Sequence, residues 1–184
     1  NDHLMKAERA GGKPCLTRFH DWLVTLAILL LASAGLGAPA RAANHIQASL
    51  IAESSPAPGG ATAIAVRFVP EDGWHGYWRN PGDAGLGARF EWTLPEGVTV
   101  SPLRYPVPQK LVISGLMNHV YKGEHVLLGQ VRVPAGVKPG TRLPVRAKAD
   151  WLACTDTICV PETAEIETKI VVGSGTAQPG ERAR

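Results

Sequence analysis

Apolar and polar residues alternate with a period of two over most of the chain after residue 42. The alternation is clearest in Ala63-Ile-Ala-Val-Arg-Phe-Val69 and in Gln130-Val-Arg-Val133. A strand points successive side chains to opposite faces, so this period predicts half-buried β-strands. Segments rich in β-branched and aromatic residues extend the prediction. They place strands at His45–Ala52, Ala61–Val69, Trp74–Trp78, Arg89–Leu94, His125–Val133, Arg142–Trp151 and Ala164–Val172. Shorter strands are expected near Val98–Ser101 and His119–Tyr121. No stretch after residue 42 sustains a helical apolar period.

Turn signals separate these segments: Pro56-Ala-Pro-Gly-Gly60, Pro81-Gly-Asp83, Pro95-Glu-Gly97, Pro134-Ala-Gly136 and Pro139-Gly140. Asn80-Pro81-Gly82-Asp83 itself reads as a turn. Seven or more short strands at this spacing predict an all-β fold, an antiparallel sandwich. The 20 Gly and 15 Pro in 184 residues fit a fold with many turns. From residue 173 onward, Gly-Ser-Gly-Thr-Ala-Gln-Pro-Gly has the composition of a linker or flexible tail, which leads to the expectation that the chain continues into further protein.

The first 42 residues follow a different pattern. Lys13 and Arg18 precede an apolar run from Trp22 to Leu36, and Ala40-Arg41-Ala42 follows. Basic, apolar and small-residue regions in this order read as a secretory signal peptide. The apolar run is about 15 residues, short of the roughly 20 that span a bilayer. The expected organisation is a signal peptide at 1–42, a β-domain at 43–172 and a tail at 173–184, with the mature domain in the periplasm. Much of the net charge of +3 lies in the leader; residues 43–184 carry 14 Lys and Arg against 13 Asp and Glu. A nearly neutral domain without a basic run offers nucleic acid no electrostatic footing.

Cleavage after Ala42 would remove Cys15 and leave two cysteines, Cys154 and Cys159. In an oxidising compartment such a pair forms a disulfide. Four residues separate the sulfurs, a span that a loop or hairpin closes. Closing so short a loop contributes roughly 2 kcal/mol, against about 4.7 kcal/mol for a 100-residue loop. Stapling is therefore a modest use of the pair, whereas exchange needs two thiols close together so that one resolves the mixed disulfide of the other. Spacing and compartment leave three uses open: exchange, a permanent structural bridge, and a metal or copper-handling site. A metal site would recruit His45, His75, His119, His125 or Met117, which have no zinc-like spacing.

For exchange, Cys154 is assigned as the partner-bonded sulfur and Cys159 as the resolving one. Asp156 lies between them and would disfavour a nearby thiolate or accept a proton. Trp151 stands beside the disulfide or in the core; Tyr77, Trp78 and Tyr121 line the site or pack inside the sandwich. Glu124 and His119 are candidates for tuning the pair.

A set of longer motifs sharpens the reading. Gly73-Trp-His-Gly-Tyr-Trp-Arg-Asn-Pro-Gly-Asp-Ala-Gly-Leu86, Phe90-Glu-Trp-Thr-Leu-Pro-Glu-Gly97, Tyr121-Lys-Gly-Glu124, Trp151-Leu-Ala-Cys154 and Cys159-Val-Pro-Glu162 occur in order. Together they resemble the N-terminal periplasmic domain of the DsbD family of thiol:disulfide interchange proteins, in the branch that includes suppressor-of-copper-sensitivity protein B. The resemblance covers residues 45–172. It implies an immunoglobulin-like sandwich whose redox-active pair is Cys154 and Cys159, with no cofactor beyond that dithiol. It also implies a thioredoxin-like electron donor fed through a membrane-embedded electron-transfer domain, and periplasmic disulfide proteins as the partners reduced. A cap loop that shields the disulfide in the family matches Ser114-Gly-Leu-Met-Asn118, which adds Met117 and Asn118 to the candidate site. The four-residue spacing of the cysteines leaves the loop geometry open. No membrane or thioredoxin-like segment is present, so those parts would come from a longer chain or from separate proteins.

Overall fold

The computed structural model describes residues 43–173. The signal-peptide segment 1–42 and residues 174–184 of the expected tail lie outside the described residues. Gly173, placed at the start of the tail, is tied to the domain: its amide donates to the Pro56 carbonyl at 2.9 Å.

Among the described residues every regular element is a strand: β1 (Ile46–Ala52), β2 (Ala61–Pro70), β3 (Gly76–Gly82), β4 (Arg89–Thr93), β5 (Thr99–Val100), β6 (Gln109–Ile113), β7 (Leu116–Tyr121), β8 (His125–Arg132), β9 (Arg142–Cys154) and β10 (Cys159–Val171). One sheet runs β1-β2-β8-β5 and a second β10-β9-β4. Every pairing is antiparallel. The inward residues of both sheets form one core: Ile64, Val66 and Phe68 from β2 meet Val145, Ala147, Ala149 and Trp151 from β9. This is the expected all-β, immunoglobulin-like antiparallel sandwich. A third sheet, β3-β7-β6, lies outside that pair.

Glu162 bolts the sandwich together. Its carboxylate is buried on β10 and accepts the Trp151 indole N–H at 2.8 Å and the Ile46 amide at 3.1 Å, together with the His45 amide. One side chain thus fixes the start of β1, the register of β9 against β10 and the orientation of a core tryptophan. A buried carboxylate is tolerated when its oxygens are satisfied in this way.

Three expectations are corrected. The third strand runs over Gly76–Gly82 rather than Trp74–Trp78, and so passes through Asn80-Pro81-Gly82 instead of turning there. Its register with β7 breaks between Tyr77 and Gly82, and the irregularity absorbs the proline. Strand β6 (Gln109–Ile113) is additional to the strands expected from sequence. Its partner signal is Ser114-Gly115, where both residues have positive φ (51° and 83°), as the tightest hairpin turns require. Finally, β9 and β10 extend past Trp151 and begin before Ala164, so the cysteines lie within strands. Pro161 is accommodated within β10 because that strand lies at the edge of its sheet.

Three outcomes test this architecture. Glu162→Ala strands two buried donors and should cost about 2–4 kcal/mol in urea unfolding. Cys154→Ala with Cys159→Ala should cost no more than about 2 kcal/mol. Burial pushes the His125 pKa down, against the pull of the Gly123 carbonyl. The neutral ring is therefore favoured by folding. Its contribution is complete above the unfolded value of about 6.5 and shrinks as pH falls through the folded value. The melting temperature should drop below that pH, and His125→Phe, which keeps the stack on Phe68 and Tyr121, should blunt the drop.

Candidate redox site

Cys154 is the last residue of β9, Cys159 the first of β10, and the two face each other in register. They form a disulfide with a Cα–Cα distance of 4.1 Å. The backbone explains why the sulfurs meet. The Cys154 amide donates to the His75 carbonyl at 3.0 Å, and the His75 amide donates to the Cys154 carbonyl at 2.8 Å. In an antiparallel ladder a residue turns both backbone groups to the same neighbour. Cys154 spends its pair on His75, so its pairing with Cys159 is of the non-hydrogen-bonded kind, in which side chains approach most closely.

The four intervening residues close the hairpin tightly. The Thr155 amide donates to the Ile158 carbonyl at 2.8 Å, and Thr155 Oγ1 accepts the amides of Thr157 and Ile158 at 3.3 and 3.2 Å. This serine/threonine turn needs no glycine. Asp156 and Thr157 protrude at the tip, and Ile158 beside Cys159 is 55% exposed.

The two sulfurs have unequal surroundings. Along β9 the residues from Leu143 to Ala153 alternate into the main core, and Cys154, on the opposite face, should be solvated. It is instead 0% exposed, because the β3-β7-β6 sheet covers that face. Cys154 packs with Tyr77 and Val120, with Leu111 and Leu152 at the edge of the cluster. Cys159 is exposed. Cys154, assigned from sequence as the partner-bonded cysteine, is thus the enclosed member of the pair, and Cys159 is the one open to the surface.

The other candidates separate into those near the disulfide and those elsewhere. Tyr77 packs on Cys154, and burial raises its pKa. Gly85, at φ +96°, leaves room for the Tyr77 ring; a Cβ there would fall 2.1 Å from it. Asp156 sits at the hairpin tip and lines a cleft of about 450 Å³ with His75, Lys122, Thr155 and Thr157. Trp151 belongs to the main core. Tyr121 stacks on His125 and donates to the Pro106 carbonyl at 2.8 Å, and burial pushes its pKa up to about 12. Ser114–Asn118 is the β6–β7 turn and the start of β7. The backbone of Met117 is held by Asp83, and Asn118 is buried with its Nδ2 on the Leu116 carbonyl. The parts of this hairpin that pack on Cys154 are Leu111 and Val120, which flank the expected cap. Glu124 is held by Arg67 through two hydrogen bonds of 2.6 and 2.8 Å. Trp78 and His119 meet each other edge-on at 5.4 Å.

The residues named for a metal are dispersed. His45 stacks on Trp74, His125 on Tyr121, and His119 lies against Trp78. Among the described residues no group of three or more His, Cys, Asp or Glu is placed to hold a metal ion.

Sequence reasoning named His75 only as a metal ligand and did not name Leu111 or Val120 at all. His75 and Tyr77 are two apart on an extended segment, a spacing that assigns them one face, but only the bridge to Cys154 shows which face matters.

Comparison with known proteins identifies the family of the chain. The family described as "Thiol:disulfide interchange protein DsbD, N-terminal" matches residues 46–170. The N-terminal periplasmic domain of ScsB from Proteus mirabilis aligns at 20% identity with a TM-score of 0.52, over 79% of this chain and 52% of that one. The chain thus spans about half the length of that ScsB structure. The reduced DsbD N-terminal domain of Neisseria meningitidis aligns at 13% identity with a TM-score of 0.40, over 68% of this chain and 87% of that one. A sequence comparison with curated proteins gives no match. With the family matched across nearly the whole sandwich and both cysteines inside the match, the chain belongs to the DsbD N-terminal family of thiol:disulfide interchange proteins.

Proposed function

We propose that the domain is a periplasmic thiol–disulfide exchange module, a protein-disulfide reductase unit that passes electrons from a thioredoxin-like donor to envelope protein disulfides through Cys154 and Cys159. The observation that carries the proposal is the asymmetry of the bridge: one cysteine exposed at a hairpin end, the other buried away from the main core. A staple gains nothing from an exposed half, whereas an exchange site requires one.

The asymmetry supports an order of attack within the proposed electron flow. A donor thiolate attacks the Cys159 sulfur, the Cys154–Cys159 bond breaks, and Cys154 leaves as a thiolate that is then protonated. A second donor thiol displaces Cys159, which leaves the dithiol here and a disulfide on the donor. In the outgoing direction the Cys159 thiolate attacks a partner disulfide, and one partner sulfur leaves as a thiolate. Cys154 then attacks Cys159, restores the internal bridge and releases the second partner thiol. Two electrons and two protons move in each half. Ile158, exposed and apolar beside Cys159, suits a docking partner. The leader-like segment 1–42 and the periplasmic location stated for the ScsB domain support the compartment. The membrane-embedded domain that would feed the donor belongs to this same reading.

The decisive measurement is the reduction potential of the pair, by alkylation and mass analysis across a graded redox buffer. It should lie well above the roughly −300 mV typical of structural disulfides; a value well below, with no exchange against a thioredoxin-like donor, would assign the bridge to architecture. In the reduced protein, iodoacetamide should modify Cys159 at least about tenfold faster than Cys154. Equal rates would remove the proposed order of attack.

A further inference from the structure

His75 is 2% exposed, and its Nε2 has no hydrogen-bond partner. An orphaned polar atom at this depth costs stability, so its retention calls for a use. The fold places it beside the redox pair. His75 and Cys154 are mutually hydrogen-bonded bridge partners, and such partners present their side chains on one face, about 4.5–5.5 Å apart at Cβ. The His75 ring meets Tyr77 edge-on at 5.4 Å, and Tyr77 packs on Cys154.

In the exchange cycle above, Cys154 has an unsolved difficulty. It must lose a proton to resolve the mixed disulfide on Cys159, yet it is fully buried among Tyr77, Val120, Leu111 and Leu152. Its enclosure keeps bulk solvent from serving directly as the proton acceptor. We propose that the His75 imidazole, through Nε2, accepts the Cys154 thiol proton in the resolving step and returns it to Cys154 when the bridge is reduced. The proposal rests on the exchange reading. The step balances: the S–H bond of Cys154 gives its proton to Nε2, and the Cys154 thiolate forms the bond to the Cys159 sulfur. The bond from Cys159 to the partner breaks with its electron pair on the partner sulfur. The partner thiolate is then protonated, His75 is returned to its neutral form, and the partner disulfide is the oxidant.

The groups around the imidazole suit this role. Burial pushes the His75 pKa down, Asp156 from the β9–β10 turn opposes that shift, and Lys122 from the β7–β8 turn adds to it. The net effect favours the neutral imidazole, the form that accepts a proton. Tyr77, on its own strand, is the remaining titratable neighbour. In the oxidised state the sulfurs carry no proton to share, which accounts for the vacant nitrogen: its partner exists only after reduction.

The test follows the reduced protein and its His75→Gln and His75→Phe variants after mixing with glutathione disulfide, with acid quenching and mass analysis. This separates formation of the Cys159–glutathione mixed disulfide from its resolution by Cys154. The variants should form the mixed disulfide within about twofold of the parent rate, but resolve it about tenfold or more slowly near pH 7. The deficit should narrow as pH rises above about 9, where even a thiol whose pKa is raised by burial begins to ionise without a base. Resolution at the parent rate, or a deficit equal at every pH, overturns the proposal. A parent protein that forms no mixed disulfide overturns the exchange reading instead. The unmodified protein supplies a second readout that does not depend on how the variants fold: the 15N resonance of His75 Nε2 should shift on reduction, and an unmoved resonance also overturns the proposal.

Discussion

The site depends on one backbone commitment. Cys154 gives both its peptide groups to His75, and everything distinctive about the disulfide follows from that. The bridge attaches β3, and with it the β3-β7-β6 sheet, to the end of β9. It leaves the Cys159 side of the strand as the close, non-hydrogen-bonded pair in which two sulfurs can join. It also brings the attached sheet over the outer face of the hairpin, so that one sulfur is covered and the other is not. A single pair of hydrogen bonds thus sets the geometry, the burial and the asymmetry of the pair.

The chemistry is separated from the core. The residues that stabilise the sandwich lie on the inner face of β9, and the sulfur lies on the outer face under a small second cluster. Alternation along one strand is enough to divide the two tasks. Trp151 and Ala153 hold the sheets together, while Cys154, one residue on, belongs to a different environment. A bond at the end of a hairpin, on the side away from the main core, can open without exposing the interior of the domain.

Much of this was legible in the chain. The alternation in Ala63–Val69 and Gln130–Val133 gave the sandwich its strands, and the spacing of Cys154 and Cys159 gave the pair, because both depend on local patterns. What escaped was long-range. Strand β6 is marked only by Ser114-Gly115, since its side chains are largely exposed and carry no alternation. Asn80-Pro81-Gly82 has the composition of a turn, and only its pairing with β7 holds it extended. The relative burial of the two cysteines was invisible because the sheet that covers Cys154 is remote in sequence. For the same reason His75 could be noticed as a histidine but not as a neighbour of the sulfur.

The Glu162 bolt has a consequence for the reduced protein. Trp151 and Glu162 are register partners three pairs from the cysteines, and their buried hydrogen bond, with the grip on β1, forbids the hairpin to slide. When the bridge opens, the β9–β10 ladder and the Glu162 hydrogen bonds still favour the register that sets the two thiols opposite each other. Each therefore experiences the other at a very high effective concentration, far above that of any diffusing thiol. In the proposed exchange, a partner joined to Cys159 is on a clock from the moment it is attached, because the resolving thiol is already held in place.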